Sequence, residues 1–384
     1  VKGTAGNIPS VLFRVPHAYT VPSRGKGDRL NGTITSYMST AYTSEGIRHS
    51  YRELLSEASK AFLLKAPPTG ALSVLLREIA QHYVKRGWDV ELFHDPLTPD
   101  GLDAVHVVKP GILFVQASHP VSLEPLHLGG AHRVVTFYEG YDEDRLRLQH
   151  GFIRETAVRA EEALGKTFAS LRRAKELHDR WEEVNRARMS WALADKLSSS
   201  LGESLFGDLS LNKESAVVNR YIGTLTAEGA QDFFNSVTKG LKRRLLIKAH
   251  PGTGKSTMMK KLGKQAEARG LDVIYGWCAL DPGSVDLIVL PELSVCVFDA
   301  TKPHEYGPER EGDEIVDMLG MCRDDEELEG KAAEIEAVYR EAMLDARAYM
   351  NAHVRDIHAI RARMDSAIDQ EQWEKKIDSI REQL

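Results

Sequence analysis

The chain has only three cysteines among its 384 residues: Cys278, Cys296 and Cys322. An odd number cannot pair fully, and no CxxC spacing occurs, so a disulfide framework is excluded and a reduced, cytoplasmic setting is expected. Long apolar runs are missing too. None approaches the roughly 18 residues of a transmembrane helix. Val11-Leu12-Phe13 is too short for a signal-peptide core. There is no basic excess. The net charge is −6, and residues 323–384, with 10 basic and 16 acidic side chains, account for all of it. Residues 1–322 are therefore neutral, and a nucleic-acid partner is not indicated. The 42% hydrophobic content excludes wholesale disorder. The length suits about two or three domains.

Residues 1–34, with Ser23-Arg24-Gly25-Lys26-Gly27-Asp28-Arg29, read as a flexible N-terminal arm. Beyond it the sequence repeats. Displaced by 183 positions, residues 43–129 lie over 226–312 without a gap, with 19 identities in 87 positions. Thr43-x-Glu45-Gly46 falls on Thr226-x-Glu228-Gly229, and Arg86-Gly87-x-Asp89-Val90 on Arg269-Gly270-x-Asp272-Val273. Such self-similarity marks a duplicated unit. Each copy reads as α/β. In the second, an apolar run at Leu245-Leu246-Ile247 enters a Gly-rich loop, and a helix follows from Lys255 to about Ala268. Candidate strands come next at Asp272–Tyr275, Asp286–Leu290 and Val295–Phe298. Short, continuous apolar strands of this kind predict a parallel sheet covered on both faces.

A long stretch rich in Glu, Arg and Ala follows each unit. Leu164, Phe168, Leu171, Ala174, Trp181 and Val184 in one recur at helical spacing. Ile335, Val338, Ala342, Tyr349, Ile357, Ile360 and Met364 do so in the other. These predict amphipathic helices folded back on their own or the neighbouring sheet, with a partner-binding coiled coil as the alternative. His178 and His358 are expected to serve helix packing there.

The strongest chemical signal is Ala249-His250-Pro251-Gly252-Thr253-Gly254-Lys255-Ser256-Thr257. It fits a phosphate-binding P-loop, with Ala249 in place of the usual first Gly. Backbone N–H groups from Gly252 to Ser256 can curl around phosphate oxygens at the positive end of a helix. Lys255 would reach the β- and γ-phosphates, Ser256 would ligate Mg²⁺, and Thr257 would touch the α-phosphate. Pro251 and Thr253 complete the candidate binding loop. Asp299, ending the run Val295-Cys296-Val297-Phe298, is the candidate Mg²⁺-linked carboxylate, with Asp286 competing. Glu292, Asp281 and His304 are candidates to orient water. Arg310, Arg323 or Arg133 would supply transition-state charge. Cys278 and Cys296 read as buried small hydrophobes rather than nucleophiles.

The repeat supplies an internal control. In the first copy Leu72 stands opposite Lys255, Ala71 opposite Gly254, and Gln116 opposite Asp299, while Ser73 matches Ser256. That loop has no phosphate-reaching lysine, so the first half is expected to lack a working site. Residues shared by both copies, such as Asp89/Asp272, Asp103/Asp286 and Glu45/Glu228, are expected to be structural.

The Thr-x-Glu-Gly segment, the Lys-x-x-Pro-Gly-Thr-Gly-Lys-Ser-Thr loop, Cys278-Ala279-Leu280-Asp281-Pro282-x-Ser284-x-Asp286, Pro291-Glu292-Leu293 and Asp299-Ala300-Thr301-x-Pro303-His304 together resemble a family. It is the family of tandem P-loop ATPase-like proteins found mainly in spore-forming Gram-positive bacteria. The resemblance covers nearly all of the chain after residue 35. It implies two P-loop domains in one chain and ATP as ligand, and it gives no substrate. The loss of the first loop's lysine departs from the pattern.

The expected protein is thus α/β, with two duplicated P-loop NTPase-type parallel-sheet domains, each followed by a long helical extension. The boundaries are a degenerate domain at 35–140, helices at 141–215, an active domain at 216–322, and acidic helices at 323–384. Its expected ligands are ATP and Mg²⁺, with slow hydrolysis as the reaction and Lys255, Asp299 and Glu292 as catalytic residues. A small-molecule or nucleotide kinase and a nucleotide-sensing scaffold are the alternatives. No membrane partner is expected, and the helical extensions offer a face for a protein partner.

Overall fold

A computed structural model describes residues 31–98, 100–302 and 304–384. The expected N-terminal arm lies outside the described residues except at its end. There, Gly32 N–H donates to Val84 O at 2.8 Å, and Thr33 N–H to Asp89 Oδ1 at 2.8 Å, so the fold already begins before residue 34. Pro99 and Pro303, paired residues of the repeat or its loops, also lie outside.

The first half runs β1 (Ile34–Met38), a hairpin of β2 (Thr40–Thr43) and β3 (Gly46–His49), α1 (Tyr51–Glu57), β4 (Lys60–Lys65), α2 (Ala71–Lys85), β5 (Val90–His94), β6 (Leu102–Val107), β7 (Ile112–Gln116) and β8 (His132–Thr136). Two helices follow, α3 (Glu143–Arg188) and α4 (Trp191–Phe206). The second half runs β9 (Val217–Tyr221), β10 (Gly223–Thr226), β11 (Gly229–Asp232), α5 (Phe234–Thr238), β12 (Arg243–Lys248), α6 (Lys255–Glu267), β13 (Val273–Trp277), β14 (Val285–Leu290), β15 (Val295–Asp299) and β16 (Asp313–Asp317). It ends with α7 (Glu326–Ser366) and α8 (Gln370–Arg381). Every strand from β9 to β15 starts 183 residues after its counterpart from β1 to β7.

The strand order is also the same, β1-β5-β6-β7-β4-β8 in one half and β9-β13-β14-β15-β12-β16 in the other. An antiparallel contact of β1 with β9 joins them into one 12-stranded sheet. The sheet is mixed rather than purely parallel, because β6 and β14 run against both neighbours. Periodicity alone carries no information on strand direction. The seam is reinforced by Arg220 of β9, only 2% exposed, which ion-pairs with Glu57 at 2.8 Å and Glu91 at 3.1 Å across it.

The motifs shared by both halves are structural in visible ways. Each Thr-x-Glu-Gly is a hairpin turn. Thr43 Oγ1 donates to Gly46 O at 2.8 Å and Thr226 Oγ1 to Gly229 O at 2.9 Å, with the glycines at φ +106° and +118°. Asp89 holds Thr33 N–H, and Asp272 holds Ala216 N–H at 2.8 Å, so each pins the start of its half's first strand.

The long helices α3 and α7 lie antiparallel against each other. His353 Nδ1 meets Ala160 O at 2.8 Å, Arg159 pairs with Asp356, and Arg188 pairs with Glu329. Their apolar stripes, including Leu171, Met350, Ile357 and Ile360, share a buried cluster. This pairing carries each chain end to the opposite half. Phe206 of α4 packs with Met258, Leu262 and Tyr275 of the second half. Trp373, Ile377 and Ile380 of α8 pack with Leu72, Leu76 and Phe137 of the first. Among the described residues, no helix is long and apolar enough to cross a membrane.

Trp373 is 3% exposed and stacks near Phe137 at 4.6 Å between ring centroids. Trp373→Ala should therefore destabilise the first half by about 3–5 kcal/mol, the cost of a large cavity. A urea titration followed by circular dichroism measures it. A loss under about 0.5 kcal/mol would mean that α8 contributes nothing to that core.

Candidate functional site

Strand β12, between β15 and the edge strand β16, has Leu245, Leu246 and Ile247 all but inaccessible to solvent, which fixes the start of the loop. The chain then turns through Ala249–Gly254 and opens α6 at Lys255. Two glycines make the turn possible. Gly252 has φ +78° and Gly254 φ +90°, in the left-handed region that disfavours side chains. A Cβ on Gly252 would also stand 2.4 Å from the carbonyl oxygen of Glu182 in α3. The loop is thus roofed by the first half's long helix, whose Asn185 Nδ2 donates to Pro251 O at 3.0 Å. Trp191 of α4 lies over Gly254.

Within the loop, Thr253 is fully buried and its hydroxyl donates to His250 O at 2.7 Å, so this side chain shapes the turn. Lys255 Nζ donates to His250 O at 3.2 Å and ion-pairs with Asp299 Oδ2 at 3.3 Å. Asp299 Oδ1 accepts from the backbone and hydroxyl of Thr301. The lysine and the carboxylate picked from the sequence are therefore direct neighbours. Ser256 Oγ accepts from Val285 N–H at 2.9 Å, as Ser73 Oγ does from Leu102 N–H at 2.9 Å. This shared bond, tying a helix start to a neighbouring strand, accounts for the one loop residue retained after the Pro in both copies. It leaves the Ser256 oxygen a further lone pair.

A cavity of about 1050 Å³ opens over this loop. It is lined by Pro251–Met258, by Asp281, Asp286, Asp299 and His304, and by side chains of α3, α4 and α7. Glu292 is not among its walls. Because β14 runs antiparallel, its C-terminal end lies at the opposite sheet edge. There Glu292 accepts from Asp272 N–H at 3.1 Å and pairs with Lys213 at 2.9 Å. This corrects the expectation of a water-orienting Glu292. The three arginine candidates are also elsewhere. Arg310 binds the carbonyls of Thr238 and Lys239, Arg133 binds Gln383, and Arg323 pairs with Asp325. The arginines at the cavity are Arg186, Arg340 and Arg347, all on the long helices. His178 is there too, rather than serving packing alone. Cys278 lines the cavity, and burial with the nearby Asp286 charge holds its thiol protonated.

Strand direction changes the standing of Asp286. It sits at the start of antiparallel β14, which brings it to the same sheet edge as the end of β15 and Asp299. Its first-half counterpart, Asp103, is locked by hydroxyls, Ser39 Oγ at 2.6 Å and Tyr51 OH at 3.3 Å. The residues 183 positions on are Ile222 and Phe234, which offer none. Asp286 faces His304 Nε2 at 3.9 Å instead, and His304 Nδ1 is held by Asp232 at 2.8 Å. Burial pushes the Asp286 carboxyl from 3.8 up to about 6; the His304 charge opposes this and the Asp299 charge adds to it. Burial disfavours the charged form of His304, but its bond to Asp232 and the charge of Asp286 prevail and raise its pKa. The identity shared with Asp103 concealed this. The exchange of its two partners was the visible signal.

The first-half loop is closed by the protein itself. Gly70 N–H and the Thr69 hydroxyl both donate to the Asp365 carboxylate of α7. Leu72 is buried in the core where Lys255 serves the other half. The space left is about 10 Å³, beside Arg361, which pairs with Asp95 at 2.7 Å.

Among the described residues no group of three or more His, Cys, Asp or Glu forms a metal cage. A Mg²⁺ ion needs none. It keeps several waters and takes one or two protein oxygens plus phosphates, a demand that Ser256 and Asp299 fit. Compared with protein-family models, with curated proteins and with solved structures, the chain shows no match.

Two outcomes are expected. Ser73→Ala and Ser256→Ala should each cost about 1–3 kcal/mol in urea unfolding, since both leave a strand N–H unpaired; a cost confined to one of them would contradict the shared role. Asp286→Asn should stabilise the nucleotide-free protein at pH 8 relative to pH 4. A carboxyl raised from 3.8 to about 6 in the fold loses stability as pH climbs through that window, and Asn does not. The relative gain should approach about 2–3 kcal/mol, trimmed by the His304 charge that Asp286 partners. Equal midpoint differences at both pH values would disprove it.

Proposed function

We propose that the chain is an ATP-binding P-loop NTPase with one competent site, in its second half, and that its likeness to the tandem P-loop ATPase-like family reflects two duplicated P-loop domains. The carrying observation is the contrast between the two loops. One combines left-handed glycines, a helix opening at Lys255, and a cavity of about 1050 Å³. The other has Leu72, a helix start capped by Asp365, and about 10 Å³. A triphosphate would take over the Lys255 ammonium now held by Asp299. Mg²⁺ would be held by Ser256 and, directly or through water, by Asp299, and would supply charge neutralisation on the phosphates. The Asp286–His304 pair faces the same space, where it is suited to orienting a nucleophile beside the Mg²⁺ that Asp299 would hold. Slow hydrolysis coupled to movement of the α3 roof is the reaction this supports best.

A kinase reading has one observation in its favour. A pocket for one ligand measures about 300–1000 Å³, and this cavity, at about 1050 Å³, stands at the top of that range, with room for an acceptor beside a nucleotide. Loss of ATP that requires an added acceptor would separate the two readings.

Calorimetric titration with a non-hydrolysable ATP analogue and Mg²⁺ should give a stoichiometry near one. Lys255→Ala should abolish binding, and Leu72→Ala should leave it intact apart from packing losses. Asp299→Asn should lower Mg²⁺-dependent phosphate release by at least tenfold with little effect on the fold. Two equivalent sites, or unchanged binding by the Lys255 variant, would refute the proposal.

A further inference from the structure

The cavity's lining runs from α4, past the loop, to the β10–β11 hairpin, and its two ends are taken as two lobes. One is walled by Trp191, Ala194 and Ser198 of α4 and by Met258 and Lys261 of α6. In a P-loop the residue after the Ser or Thr meets the α-phosphate, while the lysine serves the β- and γ-phosphates. In that reading Thr257 would place the nucleoside toward the α4 lobe, and Lys255, which pairs with Asp299, would place the terminal phosphate toward Asp299 and the second lobe, which a nucleotide so held would leave open.

This second lobe has its own chemistry. Leu171 of α3, Leu225 of the β10–β11 hairpin, Leu280 and Met343 of α7 line it and belong to one continuous apolar cluster with Tyr42. Four separate chain segments thus converge on one wall of the cavity, with Leu280 and Met343 half-buried over the buried Leu171 and Leu225. At its lip stands Arg347, which reaches only the carbonyl of Ala227, at 3.5 Å, and has no ion-pair partner among the described residues. Lys302, on the same cavity, has none either. An apolar floor beside unneutralised cations matches a ligand with a matching division of character.

We propose that this lobe binds a second ligand together with the nucleotide, a small amphipathic anion whose apolar body lies on Leu171, Leu225, Leu280 and Met343 and whose charged group meets Arg347. The proposal rests on the nucleotide reading only for what occupies the neighbouring lobe. A ligand so placed lies next to the terminal phosphate, where it would serve as phosphoryl acceptor or as an effector of hydrolysis.

The probe is 8-anilinonaphthalene-1-sulfonate, an aromatic body carrying one sulfonate, titrated into the full chain by fluorescence. One equivalent should bind with similar affinity without and with saturating ATP analogue and Mg²⁺. Met343→Glu should weaken it at least tenfold and Arg347→Ala severalfold, with analogue affinity and melting temperature unchanged. Should Met343→Glu fail to fold, Leu344→Glu, at a cavity position 62% exposed, takes its place. Lys255→Ala should lose the analogue and keep the probe. Displacement of the probe by the analogue, or probe binding indifferent to both lobe variants, would overturn the proposal. A wild-type chain that binds the probe as described but no ATP analogue would refute the nucleotide reading and leave the lobe standing.

Discussion

The antiparallel pairing of α3 with α7 is the constraint on which the other features depend. Through it, the helix leaving the first half ends on the loop of the second, where the Glu182 backbone leaves room for no side chain on Gly252. The helix leaving the second half ends on the loop of the first, where Asp365 is bound. Neither α4 nor α8 covers its own half, so neither half has a complete core without the other. A seam made only of β1 and β9, even with buried Arg220, would be a short contact between two sheets. The crossed helices make it a fixed arrangement.

This exchange also explains where the cavity lies. It is bounded by the sheet edge and hairpin of one half, by α3 and α4 from the preceding half, and by α7 returning across the top. Some of the charged side chains facing the Gly252–Gly254 loop thus come from parts of the sequence more than 60 residues away, such as Arg186 and Arg340. Asp286 and His304 approach from nearer segments but depend on strand direction. An environment assembled in this way can respond to ligand at the loop only by moving elements that both halves share.

Much of the loop between β12 and α6 was legible in the sequence, because it is local: its glycines, lysine and hydroxyl follow one another on a single turn. The four apolar runs read in the second copy also fell on β12 to β15, and the single offset carries them onto β4 to β7. Strand direction was not legible, since apolar runs look alike whichever way they run, and this misplaced Glu292 and undervalued Asp286. The arginine candidates failed for a related reason. They were sought near the loop or in the first half's sheet, whereas the cavity draws its cations from long helices whose register against each other no short pattern reveals. Comparing the two copies residue by residue was sound for Asp89 and Asp272, which in each half hold the same backbone N–H ahead of the first strand. It misled for Asp103 and Asp286, whose partners are side chains that diverged while the aspartates did not. Retention of a residue is informative only together with retention of what it touches.

The Asp365 carboxylate at the first loop has one more consequence. A helix start with an exposed N–H draws anions from solution, and its occupancy then follows their concentration. Here the anion is covalently part of the chain, so its local concentration never changes and no metabolite can dilute or outnumber it without first displacing α7. The anion seat of the first loop is thus filled at fixed occupancy, whereas the second loop opens onto a cavity that holds no such carboxylate from α7.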